Sequence, residues 1–252
     1  DPETGLDAIR NVGIKDGVIT TISTKSLAGT ETLDVRGLVV APGFIDIHSH
    51  SPTLFGARFQ LLDGVTTQLD LEAGAFPVNA YGAFFDSGAP FHYGASVSHL
   101  AIRSKVLLDK EMSYLFSKYG VANVPEAFVK KATGPEIEAM RALLEMGIDE
   151  GGLGIGVLLD YMSVAVSPDE LRMIFEVAGK RNVPVTVHVR RGLPGDAAGL
   201  DEVIALAEQT GAPLLVCHIT HSAMQDVGKW LEKIDQANAR GARITAETLT
   251  YA

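Results

Sequence analysis

A TIM-like (β/α)8 barrel is the fold the sequence predicts, an α/β architecture cut before its eighth strand and preceded by part of a small β-sandwich domain. Three observations lead there. Apolar β segments alternate with amphipathic helical patterns, the arrangement that builds a parallel sheet. The last three segments end at His188, His218 and Glu247, about 30 residues apart, the length of one βα unit. Nearly every segment also ends in a polar side chain: His48 and His50, Glu72, His99, His188, His218 and Glu247. In a closed barrel such ends converge on one mouth, where active sites sit. A doubly wound open sheet would not gather them.

Residues 1–40 are expected to belong to the small β domain, and residues 41–252 to the barrel. Asn11 to Ile14 and Val18 to Ile22 alternate like strands around the turn Asp16-Gly17. TETLDVRG, residues 30–37, reads as a further β segment. Leu38 to Ala41 and Phe44 to His48 are apolar, broken by Pro42-Gly43. The next strands are GVTTQLDLE ending near Glu72, GASVSHL ending near His99, and LGIGVLL at 153–159. VPVTVH, PLLVCH and RITAE complete a set of seven. Between them, Pro135 to Met146 turns Ile137, Met140, Leu143 and Leu144 to one face. Ser167-Pro168-Asp169-Glu170 reads as a capping box with proline at the first helical position. Asp201 to Thr210 is a helix stopped by Gly211. Val227, Trp230, Leu231, Ile234 and Ala237 form an apolar stripe that Gly241 ends. The span 100–134 is less regular and reads as a helical insertion.

Composition excludes several classes. Of 252 residues, 46% are hydrophobic and 21% charged, which fits an ordinary globular chain rather than a disordered one. No apolar run reaches the ~18 residues that a membrane span needs. The 21 Lys and Arg against 31 Asp and Glu give a net charge of −10, the wrong sign for a nucleic-acid or anionic-membrane surface. The single cysteine, Cys217, allows no intrachain disulfide framework and fits a reducing, cytoplasmic compartment.

The strand ends carry the chemistry. His48 and His50 are two residues apart in a strand, so both imidazoles face one side and can share a divalent metal. The alternative is a pair of solvent-facing loop histidines, disfavoured by the apolar strand GFIDIH before them. His188 and His218 each end a strongly apolar strand. Alone, each would be an ordinary core or rim histidine, but one βα unit apart they make a second metal pair. Imidazole donors suit Zn, Fe, Ni or Co rather than Mg or Ca. Asp70 and Glu72 face the same side, and Glu72 can bridge two metals; the alternative is a salt-bridged rim carboxylate. Asp46 is placed to orient a ligand. His99 ends the third strand and is expected to touch substrate. Arg103, Arg190 or Arg191 can hold a substrate carboxylate through a bidentate pair, although helix-capping or surface roles are as common for a single arginine. Cys217 is expected to point away from His218, into the core.

GFIDIHSHSP, DGVTTQLDLEAG, VSHLAIR and GGLGIGVLLDYMSVAVSPDEL before VPVTVHVR carry a family likeness. The chain resembles the metal-dependent amidohydrolase superfamily, and within it the N-acyl-D-amino-acid deacylase (D-aminoacylase) group, over most of residues 36–252. The resemblance implies that His48 and His50 bind a buried metal and that His188 and His218 bind a second, more exposed one. It implies that Tyr251, matching the second tyrosine of a DxYPY segment, helps hold substrate. One or two divalent transition-metal ions, zinc foremost, would activate water to cleave a C–N amide bond. The substrate would be a small molecule with a carboxylate, an N-acyl-D-amino acid.

The departures from the group's pattern are specific. The deacylases carry a bridging cysteine after the second strand, where this chain has Leu71-Glu72. Hydantoinases and dihydroorotases use a carboxylated lysine on the fourth strand, and GIGVLLDYM has none. The usual HMRDEG is HVRRG here. The aspartate expected as general base at the end of an eighth strand is not in the sequence, so no catalytic base is assigned. The rivals are a cyclic-amide hydrolase of the dihydroorotase or hydantoinase kind, a dipeptidase, and, outside the enzymes, a catalytically inactive barrel used for assembly. The ends of the sequence read as cuts in a longer protein. A missing segment or a second subunit of a homo-oligomer would have to cover the opening left by the eighth strand.

Overall fold

The computed structural model describes residues 4–50, 52–86, 88–115, 121–193 and 195–249. The chain divides into two compact units, Asp1–Pro42 and Gly43–Ala252.

In the first unit, β1 (Asn11–Lys15) and β2 (Val18–Ser23) form an antiparallel hairpin. Asp16 and Gly17 at its tip have φ of 52° and 76°. A two-residue turn of this kind needs left-handed backbone at both positions, which Asp-Gly supplies. The further β segment expected at residues 30–37 does not form. The Asp34 carboxylate accepts from the Arg36 backbone N–H and from its guanidinium, and Leu38 N–H closes on Val35 O. These local bonds turn the chain and compete with a strand ladder.

The second unit is a curled sheet of seven parallel strands laid side by side in chain order. They are β3 (Phe44–Asp46), β4 (Val65–Phe76), β5 (His92–Ser98), β7 (Ile155–Val157), β8 (Val185–Val187), β9 (Leu214–Val216) and β10 (Ile244–Ala246). The two-residue β6 (Ser113–Tyr114) pairs antiparallel with the far end of β4. Parallel neighbours require crossovers. These run through α1 (Leu54–Leu62), the 3-10 helix Val78–Phe85, α2 (His99–Leu108) with α3 (Gly134–Asp149), α4 (Pro168–Arg181), α5 (Ala198–Thr210), and α6 (Ile219–Ala223) with α7 (Val227–Ala239). This is the strand and helix order of a (β/α)8 barrel through its seventh strand. The short strands IGV, VTV and LLV are buried throughout, as strands covered on both faces must be. None of the described helices is long and apolar enough to cross a membrane.

The helix termini largely obey the expected signals. Thr133 and Glu136 cap α3 reciprocally. Asn182 after α4 and Gly211 after α5 adopt left-handed backbone and end those helices. The capping box expected at α4 is only half made. Ser167 accepts from Glu170 N–H, but the Glu170 carboxylate is committed elsewhere, to His99 and Arg103.

One irregularity shapes the site. β4 and β5 are in register at Asp70 opposite Ala95, and again at Ala75 opposite Val97. Residues 71–74, four against the single Ser96 of β5, bulge out of the ladder at the C-terminal end of β4. Bulges recur beside active sites because they re-aim side chains. Gly74 makes this one feasible, with φ of 63° and no room for a Cβ against the Ser96 backbone.

Candidate metal centre

Five strands deliver side chains to one place at their C-terminal ends. His48 and His50 come just after β3, Asp70 and Glu72 from the β4 bulge, His188 after β8, Cys217 and His218 after β9, and Glu247 after β10. His48 and Glu247 belong to the first and last strands of the sheet, yet His48 Nδ1 lies 2.7 Å from Glu247 Oε1. The sheet therefore curls far enough to bring its two ends to one site.

Glu72 is the centre of the arrangement. Its Oε1 lies 2.9 Å from His218 Nε2 and 3.0 Å from His188 Nδ1. Its Oε2 lies 3.0 Å from His50 Nε2 and 3.4 Å from His48 Nε2. Within each pair the ring nitrogens are 3.1 Å apart, His48 to His50 and His188 to His218. Two donor nitrogens on a tetrahedral metal at ~2.0–2.1 Å are themselves about 3.3 Å apart. The side chains present thus fit two divalent ions: one set is His48, His50 and Glu72, the other His188, His218 and Glu72. Nitrogen donors with one shared carboxylate are a transition-metal donor set.

Outer partners fix the ring orientations. His50 Nδ1 lies 2.9 Å from Asp70 Oδ2, and Tyr114 Oη–H donates to the same oxygen at 2.6 Å. Asp70 Oδ1 accepts from Ala73 and Gly74 N–H, so the bulge and the ligand support share one carboxylate. With Nδ1–H donated to Asp70 and to Glu247, His50 and His48 both turn Nε2 toward Glu72, the nitrogen left to give up its proton to a metal. Asp46, expected to orient a ligand, accepts from His48 backbone N–H and from Gln60, and so acts on the main chain.

Electrostatics match the geometry. Burial would raise the Glu72 carboxyl, but the four surrounding imidazoles outweigh it and hold the group ionised, far below the usual carboxylate range. Burial opposes protonation of His48, but Glu247 and Glu72 push it up to about 10. His50, opposed likewise by burial, is pushed up to about 9 by Asp70 and Glu72. Metal binding must displace protons from such ligands.

Of the residues expected to contact substrate, three are placed elsewhere and one is not described. His99 and Arg103 are one turn apart on α2 and fully buried. Arg103 donates to Glu170 Oε1 and to the carbonyls of Ala127 and Lys130, and His99 Nε2 lies 2.8 Å from the same Glu170 oxygen. The expectation that they meet substrate is corrected: His99 starts a helix, and the helix carries both side chains under α4. Arg190 is engaged by other partners. Its Nε donates to Glu202 at 2.9 Å and its terminal nitrogens to the Ser163 and Val166 carbonyls. Tyr251 lies outside the described residues.

Cys217 is buried as expected, but its sulfur is within 4.8 Å of ligand atoms of His48 and Glu247 rather than turned from the site. Strand alternation stops there, because His218 has φ of 32°. Sequence reasoning does not single out Glu247 or Asp160 as site residues. The available signal for Glu247 is its place at a strand end.

The rim beside His188 and His218 is polar. Asp160 Oδ2 is 3.7 Å from His188 Nε2, and the Tyr161 ring centre is 4.8 Å from that of His188. Arg191 donates through Nε and backbone N–H to Asp160, at 2.8 and 2.9 Å, and through a terminal nitrogen to His221 Nε2 at 3.0 Å.

The buried charges set the pH range of the fold. Burial lowers His99, and hydrogen bonds from His99 and Arg103 outweigh burial to lower Glu170. Both shifts mean that the unfolded chain binds more protons, so stability falls as pH drops below about 6.5, and further below about 4.5. His48 and His50 have the opposite sign. Their stabilisation is complete below about 6.5 and is lost as pH rises through about 9 and 10. Chelator-treated protein should therefore melt at its highest temperature near neutrality and lose stability on both sides. Added zinc should flatten the alkaline side, where the ligands are already deprotonated. A metal-free melting temperature that still rises between pH 8 and 10 would contradict this.

No protein-family profile matches the chain. It is 28% identical to the N-acyl-D-glutamate deacylase of Alcaligenes xylosoxydans xylosoxydans, over 96% of this chain and 53% of that one. It is 28% identical to the dihydroorotase of Streptococcus pneumoniae, over 98% of this chain and 58% of that one. Among solved structures, N-acyl-D-glutamate deacylase from Bordetella bronchiseptica, complexed with zinc and a phosphonate inhibitor, superposes with a TM-score of 0.77 at 24% identity. That match covers 96% of this chain and 54% of the other. The chain is thus similar to the metal-dependent amidohydrolase superfamily. Within it, the likeness is to the D-aminoacylase group. The chain spans about half the length of the curated relatives it matches.

Proposed function

We propose that this chain carries the binuclear metal-binding part of a hydrolase that cleaves the amide bond of N-acyl amino acids, N-acyl-D-amino acids foremost. The observation that carries the reading is the single ionised carboxylate of Glu72, set between two imidazole pairs. His48, His50 and Glu72 would hold one ion, and His188, His218 and Glu72 the other, zinc being the first choice for such donors. The ions, when bound, acidify a water and polarise the scissile carbonyl.

The protein's own groups do the rest. Glu72 supplies the negative charge shared by both ions. Asp70 and Glu247 keep the first histidine pair in one tautomer. Arg191, braced by Asp160 and His221 beside His188 and His218, takes over the substrate-carboxylate role expected of Arg190. Four converging histidines argue against an inactive assembly barrel. The dihydroorotase likeness supports a second reading, a cyclic amide as substrate.

The test is elemental analysis of protein purified without chelator, then a panel of N-acyl-D- and N-acyl-L-amino acids, hydantoins, dihydroorotate and dipeptides. About two transition-metal ions per chain and turnover of N-acyl amino acids are expected. Absence of metal after reconstitution would overturn the reading, and turnover of cyclic amides alone would select the second one. Arg191→Met should raise KM for N-acyl amino acids about 10–100-fold with a smaller change in kcat, the loss of a charged hydrogen bond made to bound substrate.

A further inference from the structure

Glu247 does more than its place at a strand end requires. Its backbone is fixed on both sides: its N–H donates to Val216 O at 3.1 Å, and its carbonyl accepts from Ile219 N–H at 2.9 Å. This leaves the side chain aimed inward, with 12% of its surface exposed. One oxygen, Oε1, lies 2.7 Å from His48 Nδ1 and also accepts the backbone N–H of His218. His48 belongs to one imidazole pair and His218 to the other. They follow strands far apart in the chain, β3 and β9, and Glu247 ties the ring of one to the main chain of the other.

Each contact has a mechanical consequence. A carboxylate at Nδ1 keeps a proton there, so Nε2 of His48 is the nitrogen turned to Glu72 and His50 and left for a metal. His218 has left-handed backbone at φ of 32° and ψ of 55°, uncommon outside glycine although histidine visits it more than most, so a constraint on the main chain helps to hold it. The carboxylate on its N–H is such a constraint, and it holds Nε2 of His218 against Glu72. Glu247 is not placed as a ligand itself. Its oxygen is hydrogen-bonded to Nδ1 of His48, on the far side of the ring from the Nε2 that faces Glu72 and His50, so it supports that set from outside.

We infer that Glu247 is a positioning residue of the metal centre, holding one histidine of each pair in its metal-binding orientation. This rests on the reading of these histidines as metal ligands. The experiment measures zinc dissociation constants by chelator competition for the purified chain, E247Q, E247A and H48A. The visible spectrum with cobalt and the melting temperature of each metal-free protein are recorded alongside. E247A should bind zinc about 10–100-fold more weakly, as loss of a supporting carboxylate does. E247Q keeps an acceptor but not the charge, and should fall between E247A and the parent. H48A should lose more than either. The cobalt spectrum of E247Q should shift, and its metal-free melting temperature should stay near that of the parent.

If E247A does not fold, the isosteric E247Q decides. Folded variants with the parent's zinc affinity, or a lowered melting temperature with unchanged affinity and spectrum, would overturn the inference while H48A still shows its loss. A parent chain that binds no zinc would overturn both this inference and the metal-centre reading beneath it.

Discussion

Glu72→Ala is expected to remove metal and activity together. The substitution deletes the donor common to both sets, and it leaves four imidazoles facing one another without the charge between them. Supporting groups around a metal ligand are worth about 10–100-fold in affinity. Loss of a shared ligand should exceed that for both ions, and the fall in turnover should be larger still, because both ions act on the same reaction. Glu72→Gln separates the two contributions of the group. It keeps the shape and one oxygen donor but loses the negative charge, so it should retain at most one ion per chain. The metal-free variants should also hold the protons of His48 and His50 less tightly, since Glu72 adds to Glu247 and Asp70 in raising them. The check is elemental analysis beside activity and alkaline melting curves for the parent and both variants. Full activity with normal metal content in Glu72→Ala would end the proposal that this residue bridges.

The beat of the barrel is legible in the sequence because burial on both faces leaves short, wholly apolar strands such as VTV and LLV. His188 and His218 stand out because they follow such strands closely, and His48 and His50 because of their i, i+2 spacing. Hidden from the sequence is the path of a strand that does not simply end. The β4 bulge inserts residues 71–74 and lets Asp70 and Glu72 reach the same histidine from two sides. No periodicity announces this, although the glycine at position 74 is its trace. His99 and Arg103 escape strand logic for a related reason. Four residues apart, they lie one turn apart on a helix that begins at His99, so they share a face of α2 rather than a strand end. Glu170 sits in a convincing capping sequence, yet the two buried side chains of α2 claim its carboxylate. Long-range partners decide such cases, and local spacing cannot name them.

Breaking that buried cluster should cost the most stability. Glu170, His99 and Arg103 have side chains with no solvent exposure, and Glu170 Oε1 receives both His99 and Arg103. Arg103 also binds the carbonyls of Ala127 and Lys130, so the cluster fastens α4, α2 and the segment before α3. His99 Nδ1 and Glu170 Oε2 have no hydrogen-bond partner among the described residues, which leaves the remaining bonds with more to hold. Arg103→Met would bury the Glu170 carboxylate with only a neutral histidine beside it. Removal of one partner from a buried ion pair costs about 3–5 kcal/mol. For a chain of this size about 2–4 °C of melting temperature is lost per kcal/mol, so a fall of roughly 10 °C is expected. Arg103→Lys should recover little, because an ammonium cannot span a carboxylate and two carbonyls as a planar guanidinium does. Arg103→Met with Glu170→Leu should be milder than Arg103→Met alone, since no unpaired charge remains. Because the hydrogen bonds of His99 and Arg103 among the described residues go to Glu170, Ala127 and Lys130 and not to the metal-facing side chains, zinc affinity of the folded variants should match that of the parent. A melting temperature unchanged by Arg103→Met would mean that the buried pair is not held as described, and a loss of zinc affinity in a variant that still melts cooperatively would place Arg103 in the site after all.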